Sequence, residues 1–132
     1  MKILLVEDDT MLNEMISEYI TSTGHVIKSA KTGNESLEIL DKEKFDLLIL
    51  DINLPDIDGF TILEKMHEQK RMIPTIYISA LIDIEDISRA FDLGCFDYLK
   101  KPFHLKELTL RINKILKTRI VPQRHKRLSK HY

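Results

Sequence analysis

Cysteine is almost missing from this chain: among 132 residues Cys95 stands alone. An intrachain disulfide is therefore impossible, and so is a zinc site built on several thiolates. Long hydrophobic runs are missing too. The longest, Ile3 to Val6 and Leu47 to Leu50, fall far short of the roughly 20 residues that cross a bilayer. The opening Met1-Lys2, a brief apolar stretch and then three acids, has too little apolar length for a secretory leader. No membrane partner is expected, and a reducing cytoplasm is the expected location. Neither sign of charge dominates: 20 Lys and Arg against 21 Asp and Glu leave a net charge of −1, so bulk charge points to no nucleic-acid or membrane surface. A glycine-rich phosphate loop is absent, because acids follow the first apolar run. The five histidines are scattered, without metal-ligand spacing.

What is present is alternation. Ile3-Leu4-Leu5-Val6 reads as a strand buried on both faces. Met11, Leu12, Met15, Ile16, Tyr19 and Ile20 recur at helical spacing, with Asp9 or Thr10 as cap and Gly24 as stop. His25 to Ala30 reads as a short strand near a sheet edge, and a helix follows from about Gly33 to Asp41. Leu47 to Leu50 is a buried strand closed by Asp51. Asn53 to Asp58 is a loop containing Pro55, and Asp58-Gly59 opens a helix with Phe60, Leu63 and Met66 inward. A fourth strand, Pro74 to Ile78, precedes a helix from about Asp83 to Leu93. A fifth, Phe96 to Leu99, precedes a helix with Leu105, Leu108, Ile112, Ile115 and Leu116 on one face. Five strand–helix units with short connections predict an α/β fold, a doubly wound parallel sheet with right-handed crossovers. The flavodoxin-like (βα)5 arrangement has strand order 2-1-3-4-5.

The polar residues fall at the carboxyl ends of these strands. Glu7, Asp8 and Asp9 follow the first, Asp51 closes the third, Ser79 ends the fourth and Lys101 follows the fifth. Open α/β sheets bind ligands there, where strand order reverses. Order 2-1-3-4-5 would bring Asp8 beside Asp51, with Ser79 and Lys101 across from them. Crowded carboxylates repel, and a hard divalent ion such as Mg²⁺ relieves them. Phosphoryl transfer needs a nucleophile and neutralised equatorial oxygens. Asp51 is the candidate nucleophile, and Lys101, the Ser79 hydroxyl and backbone N–H groups are the candidate neutralising partners.

Leu4-Leu5-Val6-Glu7-Asp8-Asp9, Leu48-Ile49-Leu50-Asp51 with Pro55 and Asp58-Gly59, Ser79-Ala80, and Tyr98-Leu99-Lys100-Lys101-Pro102-Phe103 carry a resemblance. In order and spacing they are similar to bacterial response-regulator receiver domains, from residue 2 to about 118. The resemblance implies that Asp51 accepts a phosphoryl group from a sensor histidine kinase. It makes Asp8, Asp51 and the Asn53 backbone carbonyl direct Mg²⁺ ligands, with Glu7 acting through water. It makes Ser79, with neighbouring Ala80, the switch hydroxyl and Tyr98 the aromatic that turns inward on activation. It places Lys101 before a cis Pro102. A dianion at Asp51 would draw in Ser79, move the loop after the fourth strand and reshape the surface of the fourth helix, fifth strand and fifth helix. Such a domain is a phosphoacceptor with slow autodephosphorylation and no enzyme in the ordinary sense.

Arg89, Asp97, Glu107 and Arg111 resemble the charges that pair across the homodimer face of OmpR/PhoB-type transcription regulators, although Cys95-Phe96 stands where that class commonly has Ala-Asp. Residues 1–118 then form the receiver, and 119–132 a basic tail or linker with five Lys or Arg and no acid. That tail would lead toward a DNA-binding output domain outside this chain, through which alone DNA would be met. A stand-alone receiver signalling by protein contacts is the alternative.

Blander readings compete. Acids at positions 7–9 can simply cap a helix, which suits Asp9 better than Asp8. Ser79 alone reads as a loop serine, Tyr98 as a strand aromatic, Lys100 as a solvated neighbour, Cys95 as a packed small residue, and Asp56 as a loop residue without chemistry. Among rival functions, a phosphatase of the haloacid dehalogenase type needs an acid where Asn53 stands. A nucleotide-binding domain would repel its ligand with the acids after the first strand. A degenerate receiver serving only dimerisation would lack the complete acidic set.

Overall fold

The structure, a computed structural model, describes residues 1–80 and 83–120. Strands β1 (Lys2–Val6), β2 (Val26–Ala30), β3 (Leu47–Asp51), β4 (Thr75–Ser79) and β5 (Asp97–Lys100) alternate with helices α1 (Thr10–Ser22), α2 (Gly33–Lys42), α3 (Gly59–Glu68), α4 (Ile84–Asp92) and α5 (Leu105–Ile120). All strand pairs are parallel, in order β2-β1-β3-β4-β5. This is the doubly wound flavodoxin-like (βα)5 sheet that the alternation implied. Most of the segment read as a basic tail, residues 121–132, lies outside the described residues.

Alternate side chains of each buried strand enter opposite layers. Leu4, Val6, Leu48, Leu50 and Tyr77 pack against Leu40 of α2, Phe60 and Leu63 of α3 and Ala90 of α4. Ile3, Leu5, Leu47, Ile49, Ile76 and Ile78 pack against Ile16 and Ile20 of α1 and Leu108, Ile112 and Ile115 of α5. Every residue of β3 and β4 is buried, as a central parallel strand requires. At the edge, β2 leaves Val26 65% exposed.

Local signals set the helix ends. Asp9, not Thr10, caps α1 by accepting from Leu12 N–H, and Gly24 then reverses the chain at φ 96°. Two apolar positions depart from expectation. Met11 and Met15, in phase with the inward face of α1, are 73% and 48% exposed. They lie one step round the helix from Leu12 and Ile16, which already fill the sheet-facing stripe. β4 and β5 begin one residue later than the apolar runs suggested. Pro74 and Phe96 still bond across the sheet, Pro74 by its carbonyl to Leu48 N–H and Phe96 by its N–H to Thr75.

Tyr77 places a full aromatic ring in the central sheet, edge-on to Phe60 with centroids 5.4 Å apart. Its hydroxyl is buried without a hydrogen-bond partner among the described residues. Tyr77→Phe removes that unsatisfied group and keeps the ring, so stability in urea should rise by up to about 1 kcal/mol. A loss of similar size would mean the hydroxyl is bonded after all.

Cys95 is the small packed residue expected. Burial, with some help from Asp97, pushes its thiol up to about 11. Between the ordinary thiol value near 9 and about 11 the folded chain keeps a proton that the unfolded chain gives up. Stability should therefore fall as pH rises through that window. At pH 8, iodoacetamide should label Cys95 far more slowly in the native protein than in denaturant.

Candidate functional site

Register brings the polar strand ends together. Val6 pairs with Leu50, Asp51 with Ile78, and Ser79 with Lys100. Glu7 and Asp51, the next residues along β1 and β3, are thus level at the carboxyl edge, and Lys101 follows two residues beyond their row on β5. Lys101 continues β5 and is held by its N–H to the Ser79 carbonyl at 2.8 Å. The Lys101–Pro102 peptide is cis.

The centre of the site is an ion triad. Nζ of Lys101 lies 2.9 Å from Oδ2 of Asp51 and 2.6 Å from Oε1 of Glu7. Glu7 has no exposed surface and Asp51 only 3%. Glu7 Oε2 accepts from Asp9 N–H at 3.1 Å, and Asp51 Oδ1 accepts from Asn53 N–H at 3.0 Å. Burial, reinforced by the neighbouring Asp51 charge, drives the Glu7 carboxyl well above the usual range, against the pull of Lys101 and the Asp9 amide. Burial opposes the Lys101 charge as well, but its contacts with Glu7 and Asp51 prevail and hold it as an ammonium.

The other expected residues gather around this triad with different exposures. Asp8, Asn53 and Ala80 face solvent. Ser79 is fully buried, and Tyr98 is half-buried, with burial pushing its phenol up and the nearby Ser79 side chain opposing that push. Tyr98 also lies 6.5 Å from the Tyr77 ring. Ser79 and Tyr98 are therefore neighbours at this end of β4 and β5.

Asp58 caps α3 by accepting from Thr61 N–H, and Gly59 N–H bonds the Ile52 carbonyl at 2.8 Å. The helix thereby starts directly against the strand end. A Cβ on Gly59 would stand 2.6 Å from the Asp51 carbonyl oxygen and 3.0 Å from Ile52 Cα. Both are backbone atoms with no freedom to swing aside. Gly59→Ala should cost about 1–3 kcal/mol in urea and shift the amide resonances of Asp51 and Ile52. An unperturbed spectrum would contradict this packing.

The charges read as a dimer face are engaged within the chain. Arg111 pairs with Asp97 at 2.9 Å and Glu107 at 3.6 Å. Arg89 pairs with Glu64 at 2.7 Å and lies over the Phe60 ring. Phe96, where a charge was the more common residue, packs against the α1/α5 layer.

Two features escaped sequence reasoning. Asp56, read as having no role, accepts from the amides of Gly33 and Asn34, each at 2.8 Å. Burial opposes its charge more than any one bond favours it, but the hydrogen bonds from these and nearby amides together hold the carboxyl below its ordinary value. The signal that could have found it is an acid in a loop next to a sequence Thr-Gly-Asn at a helix start. The second is a groove of about 440 Å³ beside the site, lined by Met11, Leu12, Met15, Ala80, Pro102 and Phe103, with Asp9 and Lys101 at its polar end.

The donor set fits a hard divalent cation. Glu7, Asp8 and Asp51 offer carboxylate oxygens within 4.8 Å of one another. Among the described residues no donor is aligned on Glu7 Oε1, so its contact with Lys101 is an ion pair that leaves lone-pair capacity. With all groups ionised, three carboxylates against one ammonium leave two negative charges, which one divalent ion balances.

Comparison with known proteins gives a consistent result. The family model described as "Response regulator receiver domain" matches residues 3–113. Transcriptional regulatory protein CrdR of Helicobacter pylori is 39% identical over 114 residues, covering 86% of this chain and 54% of that protein. Response regulator SaeR of Staphylococcus aureus is 35% identical over 123 residues, covering 93% and 53%. The chain thus spans about half the length of the curated relatives it matches. Among solved structures, the non-phosphorylated HemR receiver domain from Leptospira biflexa superposes with a TM-score of 0.82 at 34% identity, covering 86% of this chain and 92% of that one. A two-component response regulator from Clostridium difficile gives 0.83 at 28% identity, with coverage of 88% and 95%.

Proposed function

We infer the role of this site from one premise: the chain belongs to the response regulator receiver family. It is a signalling domain of two-component systems. Within that role, Asp51 is the phosphoacceptor. The observation that carries this is the position of its carboxylate, at the mouth of the sheet and 2.9 Å from an ammonium.

An Asp51 carboxylate oxygen attacks phosphorus and forms the new P–O bond. The bond from phosphorus to the donor, a phosphohistidine of a sensor kinase, breaks, and its electron pair stays on the imidazole. Lys101, already beside Oδ2, remains next to the incoming charge and neutralises part of it. Asn53 N–H holds Oδ1, which fixes the carboxylate plane and leaves one oxygen to react. Glu7, Asp8, Asp51 and the Asn53 carbonyl are the residues that would hold Mg²⁺, which when bound withdraws charge from the phosphoryl oxygens.

The switch is supported by the closeness of Ser79 and Tyr98. A dianion on Asp51 offers the buried Ser79 hydroxyl a strong charged acceptor. Ser79 then turns toward Asp51, Tyr98 moves into the space this leaves, and the surface of α4, β5 and α5 rearranges. That surface exposes Ile84, Phe91 and Leu110 beside Arg111 and Asp97, which supports a homodimer face of the OmpR/PhoB type. Control of transcription through an output domain outside this chain is supported by the printed name of the Helicobacter relative and by the half-length match.

Beryllofluoride with Mg²⁺ mimics the phosphoryl group and tests this reading. Sedimentation should show dimer only when both are present, and amide shifts should concentrate in α4, β5 and α5. An unchanged spectrum with both added would refute it.

A further inference from the structure

The loop from Asn53 to Asp58 carries the backbone carbonyl assigned above to the cation, and its two ends are fixed. Asn53 N–H is bonded to Asp51, and Gly59 and Asp58 lock the start of α3. Between them, Asn53, Pro55 and Asp56 face solvent. Leu54 and Ile57 pack against the core, but the exposed polar backbone between them stays in one place only if it is tied down as well.

Asp56 supplies that tie. Its two oxygens accept from two different amides, Gly33 and Asn34, each at 2.8 Å. These are free donors of the first turn of α2, where a carboxylate is also favoured by the helix dipole. The adjacent Ile57 seals the contact. A Cβ on Gly33 would lie 2.2 Å from Ile57 Cγ1 and 2.8 Å from Cδ1, so any side chain there would push the Ile57 side chain out of place.

The helix does not depend on this contact. Thr32 already caps α2 by accepting from Glu35 N–H, and Glu35 reaches back past the cap to accept from Lys31 N–H at 3.2 Å, so this helix end has ties of its own. The second acid at the same helix end therefore serves the loop more than the helix.

We propose that Asp56 is a positioning residue: clamped across the first amides of α2, it fixes loop 53–58 and so sets the affinity of the acidic site for a divalent cation. The inference rests on reading Glu7, Asp8, Asp51 and the Asn53 carbonyl as the cation's ligands. Asp56 itself touches neither cation nor phosphoryl group. It acts as residues behind a metal site do, by holding a ligand in place.

The test compares wild type with Asp56→Ala, Asp56→Asn and Thr32→Ala. The last removes a cap from the same helix without touching the loop. Two readouts are taken: hydrogen exchange at the Asn53 and Gly59 amides, and the Mg²⁺ concentration that half-saturates acyl-phosphate formation from acetyl phosphate. Asp56→Ala should speed exchange at both amides. It should also raise the half-saturating Mg²⁺ about tenfold, with the rate at saturating Mg²⁺ unchanged. Asp56→Asn, which keeps one acceptor oxygen, should fall between it and wild type. Thr32→Ala should lower stability yet leave the Mg²⁺ requirement alone. Equal Mg²⁺ requirements in Asp56→Ala and wild type would overturn the proposal, as would the same increase in Thr32→Ala. A wild-type protein that forms no acyl phosphate would instead overturn the phosphoacceptor reading, and the exchange rates would still decide whether the clamp orders the loop.

Discussion

Asp51→Asn is expected to abolish phosphoryl labelling by acetyl phosphate while the protein remains folded. The amide is nearly isosteric with the carboxylate, so core volume is unchanged. It lacks the anionic oxygen that attacks phosphorus, and its nitrogen cannot take over that role. The substitution also removes one member of a crowded acidic group. Glu7, whose carboxyl is raised first by burial and further by Asp51, should then titrate closer to the ordinary range. The loss of labelling should be complete within detection, because among the described acids Asp8 and Asp9 make no contact with the Lys101 ammonium, and Glu7, which does, has no exposed surface. Phosphoprotein gels and intact mass read the label, and thermal unfolding confirms the fold. Residual labelling at the wild-type rate would mean another residue accepts the group.

Lys101→Met carries the second-largest expected effect, and it acts on stability as well as on signalling. The ammonium is the counter-charge for two carboxylates that are almost wholly buried. Methionine keeps the length of the stem and deletes the charge. Breaking a buried pair by removing one partner costs about 3 kcal/mol. Mg²⁺ should restore part of it, because a ligand at 100 times its dissociation constant adds about 2.7 kcal/mol. The pH dependence has a definite sign. Glu7 is already raised above its ordinary value of 4.5, and losing Lys101 raises it further. The folded variant then holds a proton that the unfolded chain releases. Without metal, its stability should therefore fall as pH rises above that ordinary value. A variant as stable as wild type at neutral pH without Mg²⁺ would contradict the ion triad. Urea titrations at several pH values, with and without the metal, provide the measurement.

Much of this arrangement was legible in the residues alone. Unbroken runs such as Leu47 to Leu50 specify buried parallel strands, and alternation with amphipathic helices leaves few topologies. Once the strand order is given, Glu7, Asp51, Ser79 and Lys101 have to meet at one edge, because each ends or follows a strand. What stayed hidden depends on contacts between distant segments. The direct Glu7–Lys101 pair joins residues that only the closed sheet brings together. The two bonds of Asp56 reach back 22 and 23 residues, to a helix that already has a cap of its own in Thr32. The pairing of Arg89 with Glu64 on the neighbouring helix likewise joins residues that the sequence alone does not bring together. Met11 and Met15 fit the helical period of α1 and still lie outside. Periodicity gives the phase of a stripe, but its width is set by how much sheet lies beneath it.

The most direct test is to find where the phosphoryl group resides. Protein labelled with acetyl phosphate and Mg²⁺ would be reduced with borohydride, which converts an aspartyl phosphate to homoserine, then digested and sequenced by mass spectrometry. The account predicts one modified position, residue 51, and none in the absence of Mg²⁺. A modified Asp8, Asp9, serine or histidine with residue 51 intact would contradict it.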